Sequence, residues 1–427
     1  MLGLVRSMTG DNAAARVALE RAVRLQPGNA MLRNNLGCVL RALGETAAAA
    51  TQFREAVALR PDYVSANVNL GVALIDGGHY TEAERVLRAV LALAPEHPEA
   101  LNNLGTSLRQ QGHYREATGY YRRALRAQPH YPDALANLGM SLLFDNNPVD
   151  AETCLRRALA VAPQHTGALY YLGFLLHKRK ALAEAEDCFR RILTIEPGHV
   201  NAAYFLSVIG ASEAPPRSPV NYVEELFDGY ANSFEAHLVG TLQYSAPEVM
   251  NRLVRGALGQ NHQLLDTLDL GCGTGLCARQ FTDITRSLTG VDLSQRMLDK
   301  AGELKIYDRL VKEDVGTFLA GQAGVWDLIL AGDLFTYIGD LRSLLHACAL
   351  ALRDGGLMSL SIEKHEGQQP YVLRESGRYA QNPGHVTQLA AERGLRTLST
   401  EQFVLRKEFG EDIIGLVFVL AKGGKSG

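Results

Sequence analysis

Hydrophobic and polar positions along the first half of the chain, which is rich in Ala and Leu, return with a period of 34 residues. Pro27, Pro61, Pro95, Pro129, Pro163 and Pro197 keep that step, as do Gly3, Gly37, Gly71, Gly105, Gly139 and Gly173, and Ala15, Ala49, Ala83, Ala117, Ala151 and Ala185. A period of this length marks stacked units, none of which can bury its apolar face alone. The Gly and Ala are small contact residues where the two helices of a unit meet. The Pro ends the second helix because it cannot continue the hydrogen-bond ladder. Past residue 220 the pattern changes to short strand-like runs at Leu264–Leu270, Leu288–Val291, Leu310–Lys312, Trp326–Ala331 and Leu357–Ile362, with helical stretches between. That alternation predicts a parallel sheet covered by helices on both faces. Leu398–Lys407 and Ile413–Ala421 read as two further strands joined by a short turn, the last running antiparallel.

A second glycine series, Gly10, Gly44, Gly78 and Gly112, marks the turn inside each unit, where a left-handed residue is needed. Asn146 can stand in for it, and Lys180 is a departure. These residues resemble tetratricopeptide repeats, and the resemblance implies an all-α solenoid over residues 1–210, about six repeats with a closing helix at Val200–Ile209. Met1 falls inside a repeat helix, so either the first repeat is incomplete or the natural start lies upstream. Asn35, Asn69, Asn103 and Asn137 recur directly before the Leu-Gly pairs, and Tyr171 breaks the series. Stacking would align these amides, each offering a donor and an acceptor to a peptide backbone. The arrangement is similar to the asparagine ladder of O-linked N-acetylglucosamine transferase, which implies a protein or peptide segment as partner. The alternative is that each Asn bonds the neighbouring repeat.

Residues 211–220 lose the period and gather three prolines, the mark of a stiff linker. Beyond it, Leu268-Asp269-Leu270-Gly271-Cys272-Gly273-Thr274-Gly275 closes the first predicted strand, where glycines let a backbone approach a ligand. Asp292 ends the second strand at the spacing where a carboxylate takes both ribose hydroxyls, and Asp314 follows the third. An acidic residue beside the glycines disfavours phosphates and suits a ligand with an amino group and a sulfonium. With Trp326–Asp333 as fourth strand and Leu352–Ser361 leading into the fifth, the set resembles the class I S-adenosylmethionine-dependent methyltransferases. The resemblance covers residues 221–422 and implies a Rossmann-like α/β domain with a seven-stranded sheet, leaving 423–427 as a flexible tail.

That resemblance implies S-adenosyl-L-methionine as cofactor. Asp269, Gly271, Cys272, Gly273 and Gly275 would flank its methionine part, Asp292 the ribose, Leu293 and Met297 the adenine faces, and Asp314 with Val315 the adenine edge. Ala331 and Asp333 would border the methyl group. For the aliphatic positions core packing is the plainer reading. Tyr222, Leu226, Tyr230 and Phe234 stand four apart, one face of a helix. Similar lead-ins occur in the quinone-biosynthesis and malonyl-carrier-protein methyltransferases and imply a lid, with Tyr230 over the cofactor. His365 follows the fifth strand as the candidate catalytic group, against a solvated loop histidine. Tyr371, Arg374, Arg378, Tyr379 and Arg406 would form an anion-tolerant wall, against ordinary surface charge.

Length and composition narrow the partners. At roughly 150 residues per domain, 427 residues make two or three domains. Lys and Arg number 43 against 46 Asp and Glu, so no basic excess points to DNA or an anionic membrane. No apolar run nears the about 20 residues of a membrane helix. Six cysteines without Cys-x-x-Cys or zinc spacing fit reduced thiols, no metal and a cytoplasmic location. The fourth strand lacks the Asp/Asn-Pro-Pro-aromatic segment of adenine amino methylation, and no Pro-Cys nucleophile serves cytosine. The expected activity is S-adenosylmethionine-dependent methyl transfer to an acceptor recruited by the repeats. Small-metabolite methylation with repeats for assembly, and an inactive cofactor-binding adaptor, are the alternatives.

Overall fold

The computed structural model describes residues 11–231, 234–235, 244–259, 263–408 and 411–423. The chain forms two compact units, residues 1–197 and 198–427.

In the first unit, helices of 13 and 14 residues alternate, from Ala30–Ala42 and Thr46–Leu59 to Thr166–Lys178 and Leu182–Ile195. The sequence period is the repeat of this pair. A methyl group on Gly37 would stand 2.6 Å from the Phe53 ring, and one on Gly105 2.7 Å from Tyr121. The glycine on the first helix therefore lets the bulky residue sixteen positions later close the pair. Between the helices, Gly44, Gly78 and Gly112 have φ of +79°, +75° and +84°, and Asn146 (55°) and Lys180 (62°) keep the same turn. The departure at Lys180 is thus one of residue type and not of backbone. Arg54–Glu82, Arg88–Glu116 and Arg156–Glu184 pair one repeat with the next at 2.9 Å. These pairs are exposed, so each contributes no more than about 1 kcal/mol. The buried apolar seams, with Phe53, Leu87, Tyr121 and Phe189 at their centres, carry the stability.

The second unit opens with the helix Val200–Val208, which the sequence reading attached to the repeats. Its Tyr204 hydroxyl bonds Ser218 Oγ at 2.9 Å and donates to Gly377 O at 2.6 Å, and its Phe205 ring meets Tyr222 edge-on. The proline-rich stretch is tied down as well. Pro216 O accepts from the N–H groups of Gly339 (2.9 Å) and Asp340 (2.8 Å), and Pro215 O accepts from the Tyr379 hydroxyl. Proline lacks a donor, yet its carbonyl remains a full acceptor.

Strands β1 (Leu265–Leu270), β2 (Thr285–Asp292), β3 (Arg309–Lys312), β4 (Trp326–Ala331) and β5 (Leu352–Lys364) pair in parallel in the order β3-β2-β1-β4-β5. β8 (Leu395–Glu408) and β9 (Glu411–Lys422) form a hairpin, and β9 lies antiparallel against β5. That is the expected seven-stranded sheet with its last strand reversed. Two three-residue strands, β6 (Tyr371–Leu373) and β7 (Tyr379–Gln381), add a small hairpin, with β7 pairing in parallel with the last two residues of β5. The central strands bury mostly apolar residues against the helices on both faces, among them Leu268, Leu270, Val291, Ile329, Leu330, Met358 and Leu360. At their N-terminal ends Asp266 and Asp327 are neutralised by Arg286 and Arg353. At the C-terminal ends, where the order reverses between β1 and β4, the carboxylates collect. That reversal is the place where such sheets bind ligands.

Candidate functional site

β1 delivers its last residues into a loop in which Gly271, Gly273 and Gly275 have φ of +64°, +53° and +88°. Three left-handed residues in alternation fold the backbone back on itself, and only glycine takes that path without strain. At Gly275 a side chain would also strike Leu304 at 2.7 Å. The Gly271 and Cys272 N–H groups donate to Val291 O, which fastens the loop to β2. Asp292, at the end of β2, accepts from Gly273 N through Oδ2 and from Ser294 N through Oδ1, both at 2.9 Å. Each oxygen keeps a lone pair for a further donor. Burial pushes the Asp292 carboxyl up, the backbone N–H groups oppose this, and the charge of Asp228 adds to it. Asp228 comes from the lead-in helix Val220–Tyr230 and accepts from Ser294 Oγ at 2.5 Å.

Asp269 is buried beneath this loop and accepts from the Tyr307 hydroxyl at 2.8 Å. Burial pushes its carboxyl up to about 7, with Asp292 contributing and the Tyr307 bond opposing. Asp314 follows β3 and caps the helix Val315–Leu319, its Oδ1 accepting from Gly316 N (3.0 Å) and Thr317 N (3.3 Å). Burial alone would raise Asp314, but its Oδ2 bonds Arg217 Nη2 at 2.6 Å, and its carboxyl is held below the usual range.

The other expected cofactor residues separate by exposure. Leu293, Gly271 and Gly273 are half-buried beside the crevice, whereas Cys272, Met297, Val315 and Ala331 are buried and shape the site from behind. Burial also pushes the Cys272 thiol well up, which leaves it inert. The aromatic stripe divides. Tyr222 packs with Tyr204 and Phe205, whereas Phe234 lies against Phe227 and 3.9 Å from where a Gly273 methyl would stand. Phe227 in turn meets Tyr337 edge-on. The side chain of Tyr230 lies outside the described residues.

At the ends of β4 and β5, Asp333 is one-fifth exposed, and its Oδ1 lies 3.8 Å from Arg406 Nη1. Arg406 is wholly buried and pairs with the equally buried Glu363, which Arg374 holds from its other oxygen. Two cations of the expected anion-tolerant wall, Arg374 and Arg406, are therefore matched by carboxylates, and Tyr379 is buried with its hydroxyl on Pro215. His365 sits half-buried just past β5, its N–H on Gln381 O and its ring against Gly367, with Nε2 buried and lacking a hydrogen-bond partner among the described residues. Tyr307, Asp228, Arg217 and Glu363 escaped the sequence reading. No motif marks them, because each acquires its role through a partner distant in the chain.

In the first unit, Asn35, Asn69, Asn103 and Asn137 are all half-buried at one helical position. Asn69 Nδ2 donates to Asn34 Oδ1 at 2.9 Å and Asn137 Nδ2 to Asn102 Oδ1 at 3.0 Å, each reaching into the preceding repeat. Asn103 Oδ1 accepts from its neighbour Asn102.

Comparison with known proteins matches two tetratricopeptide-repeat models, at residues 1–64 and 68–132 for one and 108–168 for the other, and a methyltransferase-domain model at 268–358. The chain is 26% identical over 151 residues to a ubiquinone biosynthesis O-methyltransferase of Thiobacillus denitrificans, covering 30% of this chain and 64% of that protein. It is 25% identical over 169 residues to a malonyl-[acyl-carrier protein] O-methyltransferase of Salmonella typhimurium, covering 40% of this chain and 63% of that one. The chain thus spans just under two thirds of these relatives. Among solved structures, Pseudomonas aeruginosa pilF matches with 22% identity and a TM-score of 0.42, over 48% of this chain and 94% of that one.

Proposed function

We propose that this chain, in which tetratricopeptide repeats are fused to a methyltransferase domain, is an S-adenosylmethionine-dependent O-methyltransferase whose repeats recruit a protein or a protein-borne acceptor. The observation that carries the reading is the glycine loop at the sheet's reversal, with Asp292 bonded to its centre. The donor set suits the cofactor: Asp292 keeps acceptor capacity for ribose hydroxyls, and Asp269, once ionised, places negative charge beneath the loop. Bound here, S-adenosylmethionine supplies a methyl group activated by its sulfonium. The chain's own residues then hold the acceptor in line, which provides most of the acceleration. Asp333 borders that position, and His365, just past β5, is the candidate to take a proton from a hydroxyl acceptor. An oxygen acceptor agrees with the names of both relatives, and a protein-borne one with the name of the second. We place the enzyme in the cytoplasm because its six cysteines are unpaired. Among the described residues, no helix is long and apolar enough to cross a membrane.

Calorimetry tests the cofactor directly. The full chain should bind S-adenosylmethionine and S-adenosylhomocysteine, and Asp292→Ala should weaken both by about 1.5–3 kcal/mol, the cost of a lost charged acceptor. Equal affinity in the variant removes Asp292 from the site. Incubation of a native lysate with methyl-labelled cofactor tests the acceptor: label on a polypeptide supports the recruitment reading, and label only on a small molecule replaces it.

A pH dependence follows from Asp269. Its folded-state pKa, about 7, lies above that of an unfolded aspartate, so this group makes stability fall as the pH rises from about 4 to about 7, after which its effect levels off. A cationic ligand favours the ionised form, and binding should release this proton when the pH is below 7. Affinity should therefore rise about tenfold from pH 6 to pH 8 and then level off. Titrations in buffers of different ionisation heat count the proton; a flat affinity with no release would show that Asp269 is already charged or does not sense the ligand.

A further inference from the structure

Ser294 stands between two carboxylates, only one of which the cofactor reading uses. Its N–H donates to Asp292 Oδ1 at 2.9 Å, and its hydroxyl donates to Asp228 Oδ1 at 2.5 Å while accepting from Met297 N at 3.1 Å. Ser294 is wholly buried, so these bonds meet no competition from water and fix both its backbone and its rotamer. Asp228 is poorly placed for its own helix. It lies in the last turn of Val220–Tyr230, where the helix dipole opposes a negative charge, and aspartate is a weak helix former. Its bonds go instead to the start of the helix Gln295–Glu303, of which Ser294 is the N-cap. Oδ1 also meets Arg296 N at 3.5 Å, and the main-chain O of Asp228 accepts from Arg296 Nη1 at 3.0 Å. One turn earlier in the lead-in helix, Glu224 holds Lys312 at the end of β3, at 2.7 Å. The lead-in helix is thus tied along one side to the elements around Asp292.

Charge and geometry act in opposite directions at this contact. Burial raises the Asp292 carboxyl and the negative charge of Asp228 adds to the rise, which works against an ionised acceptor for the ribose. The hydrogen bond from Ser294 does the reverse, because it holds the residue whose N–H aims Asp292. We propose that Asp228 is a positioning residue, which fixes Ser294 so that Asp292 keeps its free lone pairs turned to the ribose hydroxyls of the cofactor. The inference rests on the site holding an adenosine cofactor. It makes the lead-in helix part of the ribose site with no contact from Asp228 to the ligand. Because such coupling is reciprocal, a bound ribose holds the helix in turn.

The test is calorimetry on the full chain with S-adenosylhomocysteine and its 2′-deoxy counterpart. The wild type should favour the ribose ligand by about ten- to a hundredfold, the worth of a hydroxyl bonded to a charged acceptor. Asp228→Ala should lower that ratio by about fivefold, whereas a merely structural role would weaken both ligands alike. Asp228→Asn keeps an oxygen for the Ser294 hydroxyl and drops the charge, so its ratio should stay at or above that of the wild type. Ser294→Ala breaks the same bond from its other end and should lower the ratio to a similar extent; it carries the test if Asp228→Ala does not fold. The two alanine changes combined should cost no more than either alone, since they remove one interaction. An unchanged ratio in either alanine variant overturns the proposal, and so does an additive double variant. A ratio that rises in Asp228→Ala overturns it because Asp228 would then act through its charge, and a fall in Asp228→Asn equal to that in the alanine variant overturns it because the oxygen would then not matter. Equal affinity of the wild type for the two ligands would take Asp292 off the ribose and the proposal with it. Failure of the wild type to bind either ligand would instead remove the cofactor reading on which the proposal rests.

Discussion

Replacing Arg406 with methionine is expected to destabilise the second unit by about 3–5 kcal/mol, the usual cost of breaking a buried ion pair from one side. Arg406 on β8 is wholly buried, and its partner Glu363 on β5 is 1% exposed. Methionine fills most of the space and leaves a buried carboxylate that only Arg374, itself partly exposed, still holds. Asp333 loses its nearest cation at the same time. For a unit of this size the shift corresponds to roughly 6–20 °C in the midpoint of its unfolding transition. Scanning calorimetry of the full chain reads it. The double variant Arg406→Met with Glu363→Gln should recover part of the loss, since no unpaired charge then remains buried. A single-variant shift below about 1 kcal/mol would mean that water reaches Glu363 and that the pair behaves as a surface one. Because the pair lies at the ends of the strands bordering the expected acceptor position, the double variant also separates stability from catalysis. A stable but inactive protein would place the charges, and not merely the fold, in service of the acceptor.

The features that could be read in the sequence are those written in local backbone terms. The 34-residue step is legible because Gly37 and its equivalents meet a bulky residue of the same repeat, and because the turns at Gly44, Asn146 and Lys180 share one conformation. The glycine loop and Asp292 are legible for the same reason: left-handed residues at a strand end and a carboxylate at the next one leave a fixed spacing. The strands β6 and β7 are not, since three residues carry no period. Three prolines read as a linker, but composition reports stiffness and is silent on where carbonyls find donors. The bonds to Pro215 and Pro216 come from residues more than a hundred positions away. Tyr307 under the glycine loop and Glu363 beneath Arg406 belong to this class, each made functional by a contact that only the folded chain supplies.

The asparagines of the repeats carry both readings at once, and their replacement separates them. If Asn35, Asn69, Asn103 and Asn137 hold a peptide backbone, changing all four to alanine removes amides contributing about 0.5–1.5 kcal/mol each. The sum, about 2–6 kcal/mol, reduces affinity for the partner by tens to about ten thousand times. The same change also removes the bonds from Asn69 to Asn34 and from Asn137 to Asn102, so a modest loss of stability is expected whichever reading holds. The control is Asn34→Ala with Asn102→Ala. Both side chains are buried, and their loss breaks the same two ties while leaving the four ladder amides in place. The quadruple variant should lose partner capture in a pull-down and still methylate a short acceptor fragment that needs only the second unit. The double variant should show a similar fall in melting temperature and keep its partners. If both variants keep them, the amides serve only to join repeat to repeat, and recruitment must be assigned to another face of the solenoid.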